Sequence, residues 1–422
     1  MRFLKYIFCL VLASVLIAAC KKENADTKTE PEEVYGTTDG RTVLVYMVSD
    51  NDMANQSMVD LREMLAGAKY IGKKDHLVVY LDDTSLPRIY DITAANVGVS
   101  YKDLTPVYSF EEEVNSCSRQ QLAWVLDYVK GHYPAKSYGM VMWSHGSGWI
   151  PSLPSTNEKT WGVKTRVFGM DYDNNVSSRV TAKKMDIADI RDAMEGFDKV
   201  DYLIFDVCFM QSVEVLYTLK DVARVVIGSP AEVPGDGAPY NTMMRPMFED
   251  DFAEDIVLTY YTDYKNSVNY GILLSAVDCE KMEAFAQATR PYIQKYKEKL
   301  LTMNYNDEQG RPVILDYYWY GKYTDYGYPD YYDMRGLMRA VLTEEEFEAW
   351  EKELYKVIIT SVYTNVWYTA LMNKTYKTVD GDQYGGITMH VPLQKYVKSP
   401  TTRFSSYASS YYDTEWAQAV WE

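Results

Sequence analysis

Residues 141–149 read Val-Met-Trp-Ser-His-Gly-Ser-Gly-Trp. An apolar run of strand type, residues 138–143, breaks off into His145 and is followed by two glycines and a second tryptophan. A strand that is apolar throughout, not alternating, belongs to a sheet covered on both faces, because neither face meets water. Residues 42–48, 76–81, 200–205 and 223–227 have the same character, and amphipathic segments lie between them. Leu122, Val125, Leu126 and Val129 share one helical face, as do Met185, Ala188, Ile190 and Met194, with Thr181 as the expected N-cap and Gly196 as the expected stop. The pattern predicts an α/β fold with a mainly parallel sheet, in which chemistry gathers at the carboxyl ends of the strands.

Beyond residue 250 helical periodicity is expected near residues 280–300 and 343–361, flanking a tyrosine-dense segment at 317–332. No fixed period repeats, and no Gly/Ser- or Pro-rich linker follows residue 40. The expectation is one globular unit with an α/β core over residues 41–250, completed by a C-terminal subdomain over 251–422. A chain of 422 residues with 47% hydrophobic residues buries a sizeable core. Its net charge of −17 argues against a nucleic-acid partner, since no excess of Lys and Arg is present to neutralise phosphates.

Arg2 and Lys5 precede a short apolar stretch ending Ile17-Ala18-Ala19-Cys20, which resembles a bacterial lipobox. Residues 1–20 then read as a lipoprotein signal peptide, with Cys20 the lipidated first residue of the mature chain. Residues 21–40 read as a polar tether. Lys21 and Lys22 lack the aspartate that retains many lipoproteins in the inner membrane, so a lipid-anchored envelope location at the outer membrane or cell surface is expected. With Cys9 and Cys20 in the signal segment, Cys117, Cys208 and Cys279 remain, an odd number that leaves at least one free thiol.

Cys208 follows an apolar strand by two residues, in Phe205-Asp206-Val207-Cys208, and residues 211–220 look helical. A thiol between a strand's carboxyl end and a helix N-terminus has its thiolate favoured by the helix end; a buried, inert cysteine is the other reading. His145 stands at the equivalent point of another strand, and Gly146 and Gly148 let backbone N–H groups approach a ligand closely. An imidazole base beside a cradle of N–H donors is what acyl transfer requires. Competing motifs fail. The Gly67 to Lys73 stretch lacks the Ser or Thr of a phosphate loop and reads as a helix end; Asp171-Tyr-Asp173-Asn-Asn175 starts like a calcium loop, but Val176 takes the glycine position and Ala182 the glutamate position. No Gly-x-Ser-x-Gly elbow accompanies the His-Gly-Ser-Gly stretch, and no Cys/His cluster has zinc spacing.

The sequence resembles the clostripain family of cysteine peptidases, relatives of caspases and gingipains. The resemblance rests on Val45-Tyr-Met-Val-Ser-Asp-Asn-Asp-Met53, Trp143-Ser-His-Gly-Ser-Gly-Trp149 and Asp206-Val-Cys-Phe-Met210, supported by Ser229-Pro-Ala-Glu-Val-Pro-Gly-Asp-Gly237 and Tyr384-Gly-Gly-Ile-Thr-Met-His-Val-Pro392. It implies a caspase-like α/β/α sandwich, Cys208 as nucleophile, His145 as general acid/base, and the Gly146 and Cys208 N–H groups at the oxyanion. It implies cleavage after Arg or Lys through a thioester acyl-enzyme, with Asp206 and Asp236 as candidates for the carboxylate that meets the basic side chain. It implies no required cofactor, with calcium dependence in part of the family, and a monomer acting on peptide or protein substrates. The alternative from another class is a catalytically silent surface lipoprotein that binds glycan or peptide through its tyrosine-rich region.

Some relatives cut themselves between the histidine and cysteine motifs, and here Lys159 is the expected site. Intact-mass measurement should find the active chain cleaved between residues 150 and 175 and its Cys208→Ala variant whole. Identical intact chains would remove the idea.

Overall fold

The computed structural model describes residues 34–150, 168–173, 182–267, 271–305, 308, 313–317, 331–369, 374–377, 381–394 and 410–422. The expectations for Cys20, Lys159 and Thr181, and residues 318–330 of the tyrosine-dense segment, lie outside them. Tyr35–Glu422 forms one compact unit.

The strands in chain order are β1 (Arg41–Val48), β2 (His76–Asp82), β3 (Arg88–Ile92), β4 (Tyr108–Ser109), β5 (Ser137–Trp143), β6 (Phe168–Asp171), β7 (Lys183–Met185), β8 (Val200–Asp206), β9 (Ala223–Gly228), β10 (Leu273–Asp278), β11 (Tyr332–Asp333), β12 (Ile358–Tyr363), β13 (Val366–Thr369), β14 (Lys374–Lys377) and β15 (Thr388–Met389). Nine of them form the central sheet in the order β12-β10-β9-β8-β5-β1-β2-β3-β4. The five apolar runs read from the sequence are its middle, and β9-β8-β5-β1-β2 are all parallel. Antiparallel strands extend both edges.

Alternation of side chains through this sheet makes two cores. Val43, Val45 and Met47 of β1, with Val141 and Trp143 of β5, meet helices Ala54–Gly67, Tyr240–Met247 and Phe252–Tyr264. Leu44, Tyr46 and Val48, with Met140 and Met142, meet helices Arg119–His132, Ile187–Met194, Val213–Leu219 and Met282–Thr302. The result is the expected α/β/α sandwich. Among the described residues no helix is long and apolar enough to cross a membrane.

Three local expectations change. The helix expected from Thr181 begins at Ile187, capped by Asp186 and Asp189 in a reciprocal box, because Lys183–Met185 pairs with β6 instead. The helix expected to run to residue 361 stops at Val357, where the β-branched sequence Ile358-Ile359-Thr360 enters the sheet edge as β12. Tyr317, Tyr331 and Tyr332 of the tyrosine-dense segment are fully buried, packed on Trp367, Phe209 and Tyr305 respectively, so these three are core and not a binding platform.

Strands β5 and β8 approach through Gly139, which lies opposite Tyr202. A Cβ there would sit 2.2 Å from the Tyr202 ring, whose hydroxyl donates to the Met247 carbonyl at 2.7 Å. Gly139→Ala should therefore destabilise the fold by about 1–3 kcal/mol through overpacking, read as a lower urea midpoint with unchanged slope. An unaltered midpoint would mean the strands can separate without loss.

Candidate active site

The sheet's direction of build changes between β1 and β5, since the chain leaves β1 toward β2 on one side and reaches β8 and β9 on the other. Sites in such sheets form at the carboxyl ends beside this switch point. Trp143 of β5 lies opposite Asp206 of β8. His145 and Cys208 are each two residues past that pair, so the two strands deliver imidazole and thiol side by side at the same edge.

Backbone bonds hold the histidine loop on both sides. The Gly169 N–H donates to the His145 carbonyl at 2.8 Å and Gly146 bridges to Phe168. Among the described residues no acceptor takes the Gly146 N–H. The Ser144 hydroxyl donates to the Val48 carbonyl at 2.7 Å, and the Asn51 amide donates to Val48 and Met170 carbonyls at 3.1 and 2.7 Å. The end of β1, the end of β5 and β6 are thus latched together. On this frame His145 Nε2 meets the carboxylate of Asp52 at 2.8 Å. Asp52 lies in the sequence stretch after β1 but carried no assigned role, because nothing local pairs it with a histidine 93 positions away.

Cys208 occupies a tight turn, not a helix end. Phe209 takes a left-handed φ of 64°, a strain of about 1–3 kcal/mol for a bulky residue. Its N–H is bound by the Ala231 carbonyl at 2.9 Å, and its ring stacks on Tyr331 at 5.0 Å. Residue Gln211 then pairs with Ser229, and the helix begins only at Val213, capped by Ser212. The helix begins too far on to act on the thiol, and the Val233 N–H donates to Sγ at 3.3 Å. Cys117 and Cys279 are buried, and burial pushes the Cys279 thiol up to about 12 and that of Cys117 upward as well. Cys208 is the partly exposed thiol of the three.

Gly148 explains the second glycine of the motif. At φ 64° it lies so close to the cysteine turn that a Cβ would be 2.5 Å from the Phe209 carbonyl. Tyr331 donates from its hydroxyl to the Ser147 carbonyl and so clasps both loops. Trp149 is packing, its ring 4.7 Å from His390 and 5.2 Å from Tyr411.

Two residues before the thiol, the end of β8 carries a buried acid. Asp206 is 5% exposed, and its Oδ2 accepts from the Ala238 N–H at 3.0 Å and the Tyr240 hydroxyl at 3.1 Å. Asp60, on the buried face of helix Ala54–Gly67, accepts from the Trp143 indole at 2.7 Å. Burial drives both carboxyls above the usual range, and the charge of Asp206 adds to the effect at Asp60. Asp236 is exposed in the loop after β9 and acts more weakly on Asp60. Asp60 was missed by sequence reasoning, although an acid among Ser57, Leu61 and Met64 on an apolar helix face was the available signal.

The model of the clostripain family matches residues 45–421. Clostripain of Hathewaya histolytica is 26% identical over 226 residues, which is 47% of this chain and only 40% of that protein's length. The structure of a secreted C11 cysteine protease from Bacteroides thetaiotaomicron, in complex with an irreversible peptide inhibitor, superposes with a TM-score of 0.71 at 28% identity, covering 92% of this chain and all of that one. An inactive zymogen C11 protease from Parabacteroides distasonis has the same fold, with a TM-score of 0.70 at 24% identity, 92% of this chain and all of that one being covered. With nearly its whole folded length matched, the chain belongs to the clostripain family.

Proposed function

We propose that the protein is a cysteine endopeptidase that cleaves after Arg or Lys, with Cys208 as nucleophile and His145 as general acid/base. The observation that carries this reading is the in-register delivery of a partly exposed thiol and an imidazole from β5 and β8. The related protease captured with an irreversible peptide inhibitor supports it.

The Asp52 carboxylate accepts from Nε2, which fixes the tautomer and leaves Nδ1 to take the thiol proton. The thiolate attacks the scissile carbonyl, and the oxyanion is met by the Gly146 N–H and the Cys208 N–H. His145 returns its proton to the departing amine, leaving a thioester. Water, deprotonated by His145, then attacks this acyl-enzyme, releases the carboxylic acid and restores the thiol. Asp206 faces the basic P1 side chain as a charge-assisted acceptor, with protonated Asp60 behind it and Asp236 at the rim. Anchoring through lipidated Cys20 at the cell envelope, and activation by a cut at Lys159, complete the proposal. The zymogen form of a relative supports the latter.

Hydrolysis of Arg- and Lys-ending fluorogenic peptides should depend on Cys208, with Cys208→Ala losing it. Asp52→Asn should lower kcat on the order of 10²-fold through misplacement of the imidazole, with KM little changed. Burial and the charge of Asp206 hold the Asp60 carboxyl up at about 9, so Asp60 keeps its proton at neutral pH, and the acid that takes one up on acidification is Asp206, which burial raises to about 6. KM for basic peptides should therefore climb on acidification, and Asp206→Asn should raise KM at neutral pH and flatten that dependence. Absence of Cys208-dependent turnover on both peptides contradicts the proposal.

A further inference from the structure

The outward flank of helix Arg119–His132 is aromatic where a surface helix is ordinarily polar. Leu122, Val125, Leu126 and Val129 fill the core beneath the helix, while Trp124, Tyr128 and His132 recur at four-residue spacing on the flank away from it. Trp124 stacks on Tyr128 at 5.6 Å, and Tyr128 lies 4.2 Å from His132. The row continues onto the edge of the sheet, where Tyr108 of β4 and Phe110 meet Trp124 at 5.2 and 5.0 Å. Trp124 and Tyr108 are each 37% exposed. The peptidase chemistry uses none of these side chains.

The charges beside this row are unbalanced in one direction. Glu111 and Glu112 follow Phe110, and Asp127 stands one helical turn on from Trp124; all three are exposed. Among the described residues no ion pair takes any of them. The cations of the same helix are already engaged, Lys130 with Asp198 at 3.6 Å and Arg119 with Asp192 at 3.1 Å. An exposed aromatic face attracts ammonium and guanidinium groups through its ring quadrupole, and carboxylates at its rim attract the same groups. The surface therefore fits a cation carried on an apolar stem, which is what a Lys or Arg side chain is. A neutral ligand would leave the three carboxylates without a part.

The row is also level with the catalytic edge. Tyr108 lies opposite Ile89, Ile89 opposite Tyr80, Tyr80 opposite Tyr46, and Tyr46 opposite Met142, one residue before Trp143. Four strand spacings of about 4.8 Å each put Tyr108 roughly 19 Å from β5, a span that about six residues of extended chain cover. We propose that Tyr108, Trp124 and Tyr128, with Glu111, Glu112 and Asp127, form an exosite for a Lys- or Arg-rich segment of the protein substrate, outside the bond that is cut. This role rests on the peptidase reading above and extends it. A segment held here raises the effective concentration of the scissile bond at Cys208, so basic substrates are favoured beyond their P1 residue.

The test separates binding from cleavage in the full chain. A fluorescent peptide of alternating Lys and Ser should bind the Cys208→Ala protein, more weakly as salt rises, and a Gln and Ser peptide should not. Trp124→Ala, and separately Glu111→Gln with Glu112→Gln, should each weaken that binding on the order of 5-fold while near-ultraviolet dichroism reports a native fold. In the active protein, a tail of D-Lys and Ser, which resists cleavage, placed at one end or the other of a short internally quenched Lys peptide should lower KM on the order of 10-fold. The same surface variants should abolish that gain and leave kcat and KM for the untailed peptide unchanged. A protein that cuts neither peptide would contradict the peptidase reading, while binding to the Cys208→Ala protein still decides the exosite. Binding unchanged in both variants, equal binding of the Gln and Ser peptide, or a KM indifferent to the tail at both ends would each overturn the exosite. Co-sedimentation with neutral phosphocholine vesicles that is lost in Trp124→Ala would assign the row to a bilayer and overturn it as well.

Discussion

The pairing of β5 with β8 sets everything above it. Hydrogen bonding between these parallel strands fixes Gly139 against Tyr202 at one end and Trp143 against Asp206 at the other. A slip of one residue would reverse every side chain between the two cores, and the apolar content of both faces forbids it. The same register puts the Trp143 indole on one side of the sheet, where it binds Asp60, and lets the next residues rise as loops bearing imidazole and thiol.

Those loops are held by bonds that cross between strands. Ser144, Asn51 and Gly169 join the ends of β1, β5 and β6, while Phe209 and Gln211 pair with Ala231 and Ser229 beyond β9. The left-handed Phe209 is offset by its stack on Tyr331, and Tyr331 in turn clasps Ser147. Rigidity at this edge is what a reacting pair requires, since positioning supplies much of the rate. The buried acids are a consequence of the same edge. Asp60 and Asp206 lie on one side of the sheet, while Asp82 follows Val78 and Tyr80 toward the other core, and all three carboxylates are buried.

The centre of this architecture is legible in the amino-acid sequence because buried parallel strands need no partner-specific code. Val43 to Val48 and Tyr202 to Phe205 are apolar throughout and short, as strands covered on both faces are. The sheet edges are less legible. Strand β12 is half-exposed and follows a helix without a break, and β10 is an apolar run that helical periodicity does not exclude. His145 and Cys208 announce themselves by glycine-rich and strand-end contexts. Asp52 and Asp60 do not, because their meaning lies in contacts with Nε2 of His145 and the Trp143 indole, made only once β1 and β5 are neighbours. The turn at Cys208 was equally hidden, since a left-handed phenylalanine is a tertiary outcome that no local propensity favours.

The central claim is that one thiol of three, at the end of β8, reacts under control of the imidazole at the end of β5. Treating the protein with a peptidyl electrophile ending in Lys, then mapping the adduct by mass spectrometry, measures this directly. The account predicts stoichiometric modification of Cys208 alone, slowed at least on the order of 10²-fold in His145→Ala. Modification spread over Cys117 and Cys279, or a Cys208 rate indifferent to His145, would contradict it.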